Sequence, residues 1–256
     1  MKILCVANSF AVDASTYVHQ IAKHIGKDID IHVLYIGGCP VDLHWKNYLS
    51  KDKAYEFYIN GSNTPTMICD IIEGLEYTKY DYITFQQRSG DSGDAKTFFP
   101  ELNLLRDEIS KHYGGVHLLH KTWSYAKEYA HDKYGSNPLD QDRMDKDIKN
   151  AYLEVSKESG IKYIIPSGEA IRLAREVFGD NLCRDGYHLN ERGRLLTGIL
   201  WVMYFLGLDD MNLDGFVPRG YTYSDSVPGT DVKEIPTLIE IAKQAIKNNK
   251  GYNLYE

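Results

Sequence analysis

A serine, an aspartate and a histidine occupy positions from which a single crevice could gather them. Ser9 follows the first apolar run, ILCVA (3–7), with only Asn8 between them. Asp185 and His188 stand three residues apart in Arg184-Asp185-Gly186-Tyr187-His188, just ahead of a long apolar segment. In a tight turn, side chains at i and i+3 can lie side by side. The carboxylate would then hold the imidazole Nδ1 proton, and Nε2 would face a hydroxyl. That is the inventory of nucleophile, base and orienting acid used in acyl transfer. It predicts a distance of about 2.6–3.5 Å between Ser9 Oγ and His188 Nε2, with Asp185 accepting from Nδ1. The residue types alone leave Ser9 open as a helix cap, and His188 open as an ordinary helix-start or surface histidine. Nucleotide chemistry has less support: GxGxxG is missing from the first turn, and GxxxxGK[ST] and GxSxG are absent.

The elements that must position these residues alternate between strand-length apolar runs and longer amphipathic stretches. ILCVA (3–7), IDIHVLYI (29–36), YDYITFQQ (80–87), VHLLHKTW (116–123) and IKYIIP (161–166) read as strands, and AYEFYIN (54–60) is also strand-like. Helices are predicted over 17–25, 43–50, 64–77, 99–113, 139–160, 167–179, 191–208 and about 232–249. For the segment 64–77, Thr64 offers an N-cap and Pro65 a first helical residue. Alternation of this kind implies an α/β fold, a doubly wound, flavodoxin-like sandwich. Its mostly parallel sheet has five strands, with helices on both faces. One domain is expected over 1–256, with a loop excursion at 209–231 that carries Tyr221 and Tyr223. In such a fold the ligand crevice lies beyond the carboxyl ends of the strands. There the strands deliver Asn8-Ser9, Gly37-Gly38-Cys39, Gln86-Gln87-Arg88-Ser89-Gly90 and His120-Lys121-Thr122-Trp123.

Composition narrows the function. Asp and Glu outnumber Lys and Arg by 36 to 29, a net charge of −7 that argues against broad binding to nucleic acid or anionic lipid. No run approaches about 18 consecutive apolar residues, so no helical membrane span is expected. The four cysteines form no CxxC pair, and neither a zinc site, another metal nor a cofactor is expected. The opening MKILCVANSF is too short for a secretory apolar region, which gives a cytoplasmic expectation.

The strand-end residues give the chain a resemblance to the GDSL/SGNH hydrolase superfamily, and in detail to a microbial branch with a GNSFS-type first block. That block is matched by Ala7-Asn8-Ser9-Phe10-Ala11 with Asp13 following, and the glycine block by Tyr35-Ile36-Gly37-Gly38-Cys39. The branch's WDYVxxQxxS is matched by Tyr80-Asp81-Tyr82-Ile83-Thr84-Phe85-Gln86-Gln87-Arg88-Ser89. The closing DxxH is matched by Asp185-Gly186-Tyr187-His188, with Leu189, Asn190 and Gly193 in keeping. The matches run from residue 3 to residue 193. Two departures stand out. Ala7 replaces a glycine, and Gln87 or Gln86 occupies the place where the wider superfamily has an Asn oxyanion donor.

The resemblance implies an SGNH-like fold and ester hydrolysis, with Ser9 as nucleophile, His188 as general base and Asp185 as its orienting carboxylate. It implies an oxyanion hole of the Ser9 and Gly38 amides with a carboxamide from Gln87 or Gln86. The family spans lipases, thioesterases and carbohydrate O-deacetylases. A small-molecule ester, for instance an acetylated sugar, suits an acidic chain with 20 tyrosines and no long apolar lid. A non-catalytic carbohydrate-binding or structural descendant is the alternative. Residues placed to meet substrate are Arg88, His44, Trp45, His120, Trp123 and Tyr187. Each of them also serves readily as packing or as a surface ion-pair partner.

Overall fold

The computed structural model describes residues 1–129, 141–219 and 231–256. The chain runs β1 (Lys2–Ala7), α1 (Ser9–Ser15), α2 (Val18–His24), β2 (Asp30–Tyr35), α3 (Val41–Ser50), β3 (Tyr55–Ile59), β4 (Met67–Cys69), α4 (Ile71–Glu76), β5 (Tyr82–Phe85), α5 (Glu101–His112), β6 (Val116–His120), α6 (Gln141–Ser159), β7 (Tyr163–Ile165), α7 (Ser167–Phe178), α8 (Glu191–Leu206) and α9 (Ile235–Asn248). The sheet order is β4-β3-β2-β1-β5-β6-β7. From β2 to β7 every neighbouring pair is parallel, and β3 and β4 are antiparallel additions at one edge.

The architecture is therefore the expected doubly wound α/β sandwich, with seven strands instead of five. The five parallel strands are the ones read from the sequence. The two extra strands include Met67–Cys69, which falls inside the helix expected over 64–77. Its helical start signal is not Thr64-Pro65 but Asp70. The Asp70 carboxylate accepts from the Ile72 and Glu73 amides, and the Glu73 side chain reaches back to the Asp70 amide. That reciprocal capping box fixes the helix at Ile71 and leaves Met67–Cys69 to pair with β3.

The chain turns from one side of β1 to the other between β2 and β5, so the topological switch point lies at the carboxyl end of β1. Burial explains why β1 reads as continuous apolar sequence: Ile3 to Ala7 are essentially inaccessible on both faces. On one face α8 packs against α1, α2, α7 and α9, and on the other α3 packs against α4 and α5. The apolar side chains form a single buried cluster across these layers. Among the described residues no helix is long and apolar enough to cross a membrane. The part of the loop excursion over 220–230, with Tyr221 and Tyr223, lies outside the described residues.

Candidate active site

Ser9 is the first residue of α1, a short helix that the sequence reading did not anticipate. Asn8 caps it, its Oδ1 accepting from the Phe10 amide at 3.2 Å. A residue at the first helical position has no carbonyl four residues back in the helix, so the Ser9 N–H is left for other partners. Phe10, Ala11 and Ala14 bury the opposite side of this helix and fix the serine at the mouth of the switch point.

The turn after α7 brings Asp185 and His188 to Ser9. His188 Nε2 lies 2.8 Å from Ser9 Oγ, and His188 Nδ1 lies 2.6 Å from Asp185 Oδ2. The other carboxylate oxygen accepts from the backbone amides of His188 at 2.8 Å and Tyr187 at 3.2 Å. Partial burial opposes ionisation of Asp185. The hydrogen bonds from the His188 ring and backbone outweigh it and hold the carboxyl below its usual range. Gly186 permits the turn: its φ is +92°, and a Cβ there would sit 2.3 Å from the Tyr129 ring. Asp185 therefore shapes the loop and orients the imidazole at once.

Two cavities meet at this pair. One of about 310 Å³ is walled by Val12, Tyr35, Tyr58 and Arg184, and one of about 180 Å³ by Gly37, Gly38, Arg88, Ser89 and Tyr187. Both include Ser9, Tyr35 and His188. The Tyr35 and Tyr58 rings meet edge to face with centroids 5.7 Å apart. Gly38 has φ +61°, a conformation that presents bare backbone next to the serine. Arg88 borders the smaller cavity but is paired with Asp91.

Both glutamines expected in the oxyanion hole are engaged elsewhere. Gln87 Oε1 accepts from the Val41 amide at 3.0 Å and the Arg88 amide at 2.9 Å, while its Nε2 donates to the Thr97 carbonyl at 2.7 Å. Gln86 Nε2 donates to Asn8 Oδ1 at 2.5 Å, and its Oε1 meets His120 Nδ1 at 2.7 Å. Neither side chain borders either cavity, so the structure does not bring the expected carboxamide to the space beside Ser9. The reason is that each side chain finds buried partners: Asn8 and His120 for Gln86, and the Val41 amide and Thr97 carbonyl for Gln87.

Four of the six expected substrate contacts do not border the cleft. His44 is buried with Nδ1 3.0 Å from Tyr55 Oη, and burial pushes its pKa down to about 3. Trp45 stacks on Tyr48 and borders neither cavity. His120 is fully buried, its pKa pushed down to about 3 by burial. Trp123 lies behind the site. It stacks on Phe10 at 4.3 Å and donates from Nε1 to the Tyr187 carbonyl at 2.8 Å. It buttresses the loop that carries His188 without facing the cleft. Tyr187 does border the smaller cavity.

His120 belongs to a buried hydrogen-bond chain beneath Ser9. Trp201 Nε1 donates to Ser167 Oγ at 3.0 Å, and Ser167 Oγ lies 3.0 Å from His120 Nε2. The chain continues through Gln86 to Asn8, whose Nδ2 donates to the Cys39 carbonyl at 3.1 Å. An indole N–H only donates and a carbonyl only accepts, so the two ends fix every direction between them. His120 carries its proton on Nδ1 and accepts from Ser167.

Sequence reasoning gave Asp13 no role of its own. Buried on α1, it accepts from Arg194 Nη2 at 2.7 Å, from the Leu189 amide at 2.8 Å and from Arg184 Nη1 at 3.1 Å. It thus ties the serine's helix to the residues flanking His188. The available signal was Arg194 itself, a charge heading the most apolar helix of the chain, which calls for a buried carboxylate. Among the described residues no group of three or more His, Cys, Asp or Glu side chains is arranged to hold a metal ion.

A family model described as Domain of unknown function (DUF4886) matches residues 2–224. A DUF4886 family protein from Bacteroides uniformis ATCC 8492 superposes with a TM-score of 0.83 at 30% identity, over 97% of this chain and 94% of its own. An SGNH-hydrolase-type protein from Slackia heliotrinireducens gives a TM-score of 0.54 at 19% identity, over 79% of this chain and 97% of its own. The acetyl xylan esterase AlAXEase gives 0.50 at 15% identity, over 78% and 98%. These last two likenesses are of fold, and they make the architecture that of the SGNH hydrolases. No curated protein matches the chain.

Proposed function

This chain belongs to the DUF4886 family, and from that premise and the geometry around Ser9 we propose that it is a serine esterase that removes a small acyl group from a polar alcohol. The observation that carries the reading is the unbroken relay Asp185–His188–Ser9 at the switch point, with contacts of 2.6 and 2.8 Å. Ser9 Oγ attacks the acyl carbonyl carbon while His188 Nε2 takes its proton, and Asp185 steadies the resulting imidazolium. The Ser9 and Gly38 amides receive the developing oxyanion, where such a donor is worth about 3 kcal/mol. Collapse of the tetrahedral intermediate expels the alcohol, which leaves with the proton from Nε2. Water then repeats the sequence to release the acid.

The two cavities divide the substrate. The space of about 180 Å³ beside Gly38 suits an acetyl or similarly short acyl group. The larger space, with the Tyr35–Tyr58 wall and Arg184, suits a sugar-like alcohol, since aromatic faces and hydroxyls pack well against pyranose rings. That the fold is shared with an acetyl xylan esterase supports an O-acetylated carbohydrate as the substrate. The test is hydrolysis of aryl esters from C2 to C8 and of acetylated sugars by wild type and Ser9→Ala. Hydrolysis should favour C2 or C4 and fall by about 10³-fold or more in the variant. A serine-directed phosphonate should add its mass to the peptide containing Ser9. Equal activity in the two proteins rejects Ser9 as nucleophile. Sugar binding without turnover or labelling would replace the esterase with a carbohydrate-binding protein.

A further inference from the structure

A cavity of about 770 Å³ opens beyond β6, walled by α6 and α7, and shares no residue with either cavity at Ser9. Lys121, the first residue after β6, stands in its wall and in that of an adjoining cavity of about 150 Å³. Its backbone is pinned on both sides. The Lys121 amide donates to the Ile165 carbonyl at 3.0 Å, and its carbonyl accepts from the Gly168 amide at 3.0 Å. A Cβ on Gly168 would sit 2.0 Å from the Thr122 carbonyl oxygen, so α7 is seated directly on this stretch. The lysine side chain therefore starts from a rigid junction.

Lys121 is only 8% exposed, and among the described residues its ammonium forms no ion pair and no hydrogen bond. The neighbouring carboxylates are engaged by other cations. Glu169 pairs with Arg172 at 3.0 Å, and Asp145 lies 3.9 Å from Arg175. Lys127, Lys146 and Lys149 add further positive charges to the same wall, and Asp142 and Glu176 further carboxylates. A buried charge without a partner is unfavourable. Burial accordingly pushes the Lys121 amine down to about 8, with Lys149 and Arg172 acting in the same sense and Glu169 and Asp145 opposing. Glu169 could meet the ammonium only by leaving Arg172 and Asn248, and Asp145 forms no ion pair with Lys121 among the described residues, whereas a ligand entering the cavity can meet it. The volume lies in the range of about 300–1,000 Å³ typical of small-molecule sites.

We propose that this cavity is a second ligand site, which takes a small molecule through a carboxylate or phosphate group paired with the Lys121 ammonium. The site is independent of the ester chemistry at Ser9. Thermal melting at pH 7 and constant ionic strength tests it, with sodium phosphate and sodium succinate as separate arms and sodium chloride as control. One anion or both should raise the wild-type melting temperature saturably, and the stronger arm identifies which group is recognised. Lys121→Met should weaken that effect roughly tenfold or more. Without anion it should melt no lower than wild type, because the variant removes an unpaired buried charge.

A wild-type melting temperature that neither anion moves beyond chloride overturns the proposal, as does an equal response in both proteins or a ligand-free variant that melts far below wild type. Reductive methylation of the wild type provides a check that needs no variant. Phosphate or succinate should slow labelling of Lys121 severalfold and leave the exposed Lys27 unchanged. Unprotected Lys121 at concentrations that shift melting would place the anion elsewhere and overturn the assignment.

Discussion

At the scale of single residues, Asp185 carries two duties that one substitution can separate. One oxygen holds the Tyr187 and His188 amides, and the other meets His188 Nδ1. In Asp185→Asn the carboxamide oxygen can still accept from the backbone, so the loop should persist. The NH2 group would then face Nδ1 and force the ring proton onto Nε2, where it cannot accept from Ser9. The expected result is a fall in kcat of about 10³–10⁴-fold with KM and melting temperature little changed. Steady-state kinetics on an aryl acetate beside a melting curve checks this, and a variant retaining more than a tenth of wild-type kcat would count against the relay. That Ser9, Asp185 and His188 meet was legible in the sequence, because strand-end position and i,i+3 spacing are local properties of the chain, while their expected roles came from the resemblance to the GDSL/SGNH hydrolases. The inward roles of Gln86, Gln87, His44, His120 and Trp123 were not. Whether a polar side chain at a strand end faces the cleft or the interior depends on partners from distant segments, such as Ser167 and Trp201.

At the scale of elements, β1, β5, β6, α7 and α8 meet in the buried chain from Trp201 to Cys39, and this chain sets where Asn8 holds the start of α1. Gln86→Leu would remove the central link, orphan the buried His120 Nδ1 proton and leave Asn8 Oδ1 with the Phe10 amide alone. Orphaning such a group costs about 1–3 kcal/mol. The variant should unfold at lower denaturant concentration. It should also lose kcat more than binding when assayed at 15 °C, where it remains folded, because Ser9 follows Asn8 directly. A variant that is destabilised yet keeps wild-type kcat would make the chain purely structural. The same long-range character explains the errors in reading the fold. The parallel strands announced themselves by apolar runs bounded by turns. The short strand Met67–Cys69 is specified by its pairing with β3, and its Ile68 faces solvent, so it left no burial pattern. Helix α1 was missed because its seven residues follow the strand with only Asn8 between, too short a stretch to show helical periodicity.

At the scale of the whole molecule, three buried histidines, His32, His44 and His120, and the half-buried His117 make the fold sensitive to acid. Burial pushes His32 and His117 down to about 4, and His44 and His120 down to about 3. Lys2 adds to the effect at His32 and Arg106 at His117, while Asp30, Asp107 and Asp42 oppose it at His32, His117 and His44. In the unfolded chain each histidine titrates near 6.5. Between these values the unfolded chain binds more protons than the native one, so the free energy of unfolding falls as pH drops from about 6.5 towards 4. Each proton is worth about 1.4 kcal/mol per pH unit, and four sites together approach about 5 kcal/mol per unit near pH 5. The four side chains come from β2, α3 and β6, so protonation strains both halves of the sheet at once and the loss should be cooperative. Urea midpoints measured at pH 7, 6 and 5 should be nearly level above 6.5 and drop sharply below it. His117→Gln should flatten the drop by about one proton, and a midpoint unchanged between pH 7 and 5 would refute the assignment of these groups as neutral. Any loss of the proposed ester hydrolysis on acidification has to be set against this curve. If circular dichroism shows the fold intact at a pH where turnover has stopped, the activity is limited at the Ser9 site. If the two fall together, the buried histidines set the limit.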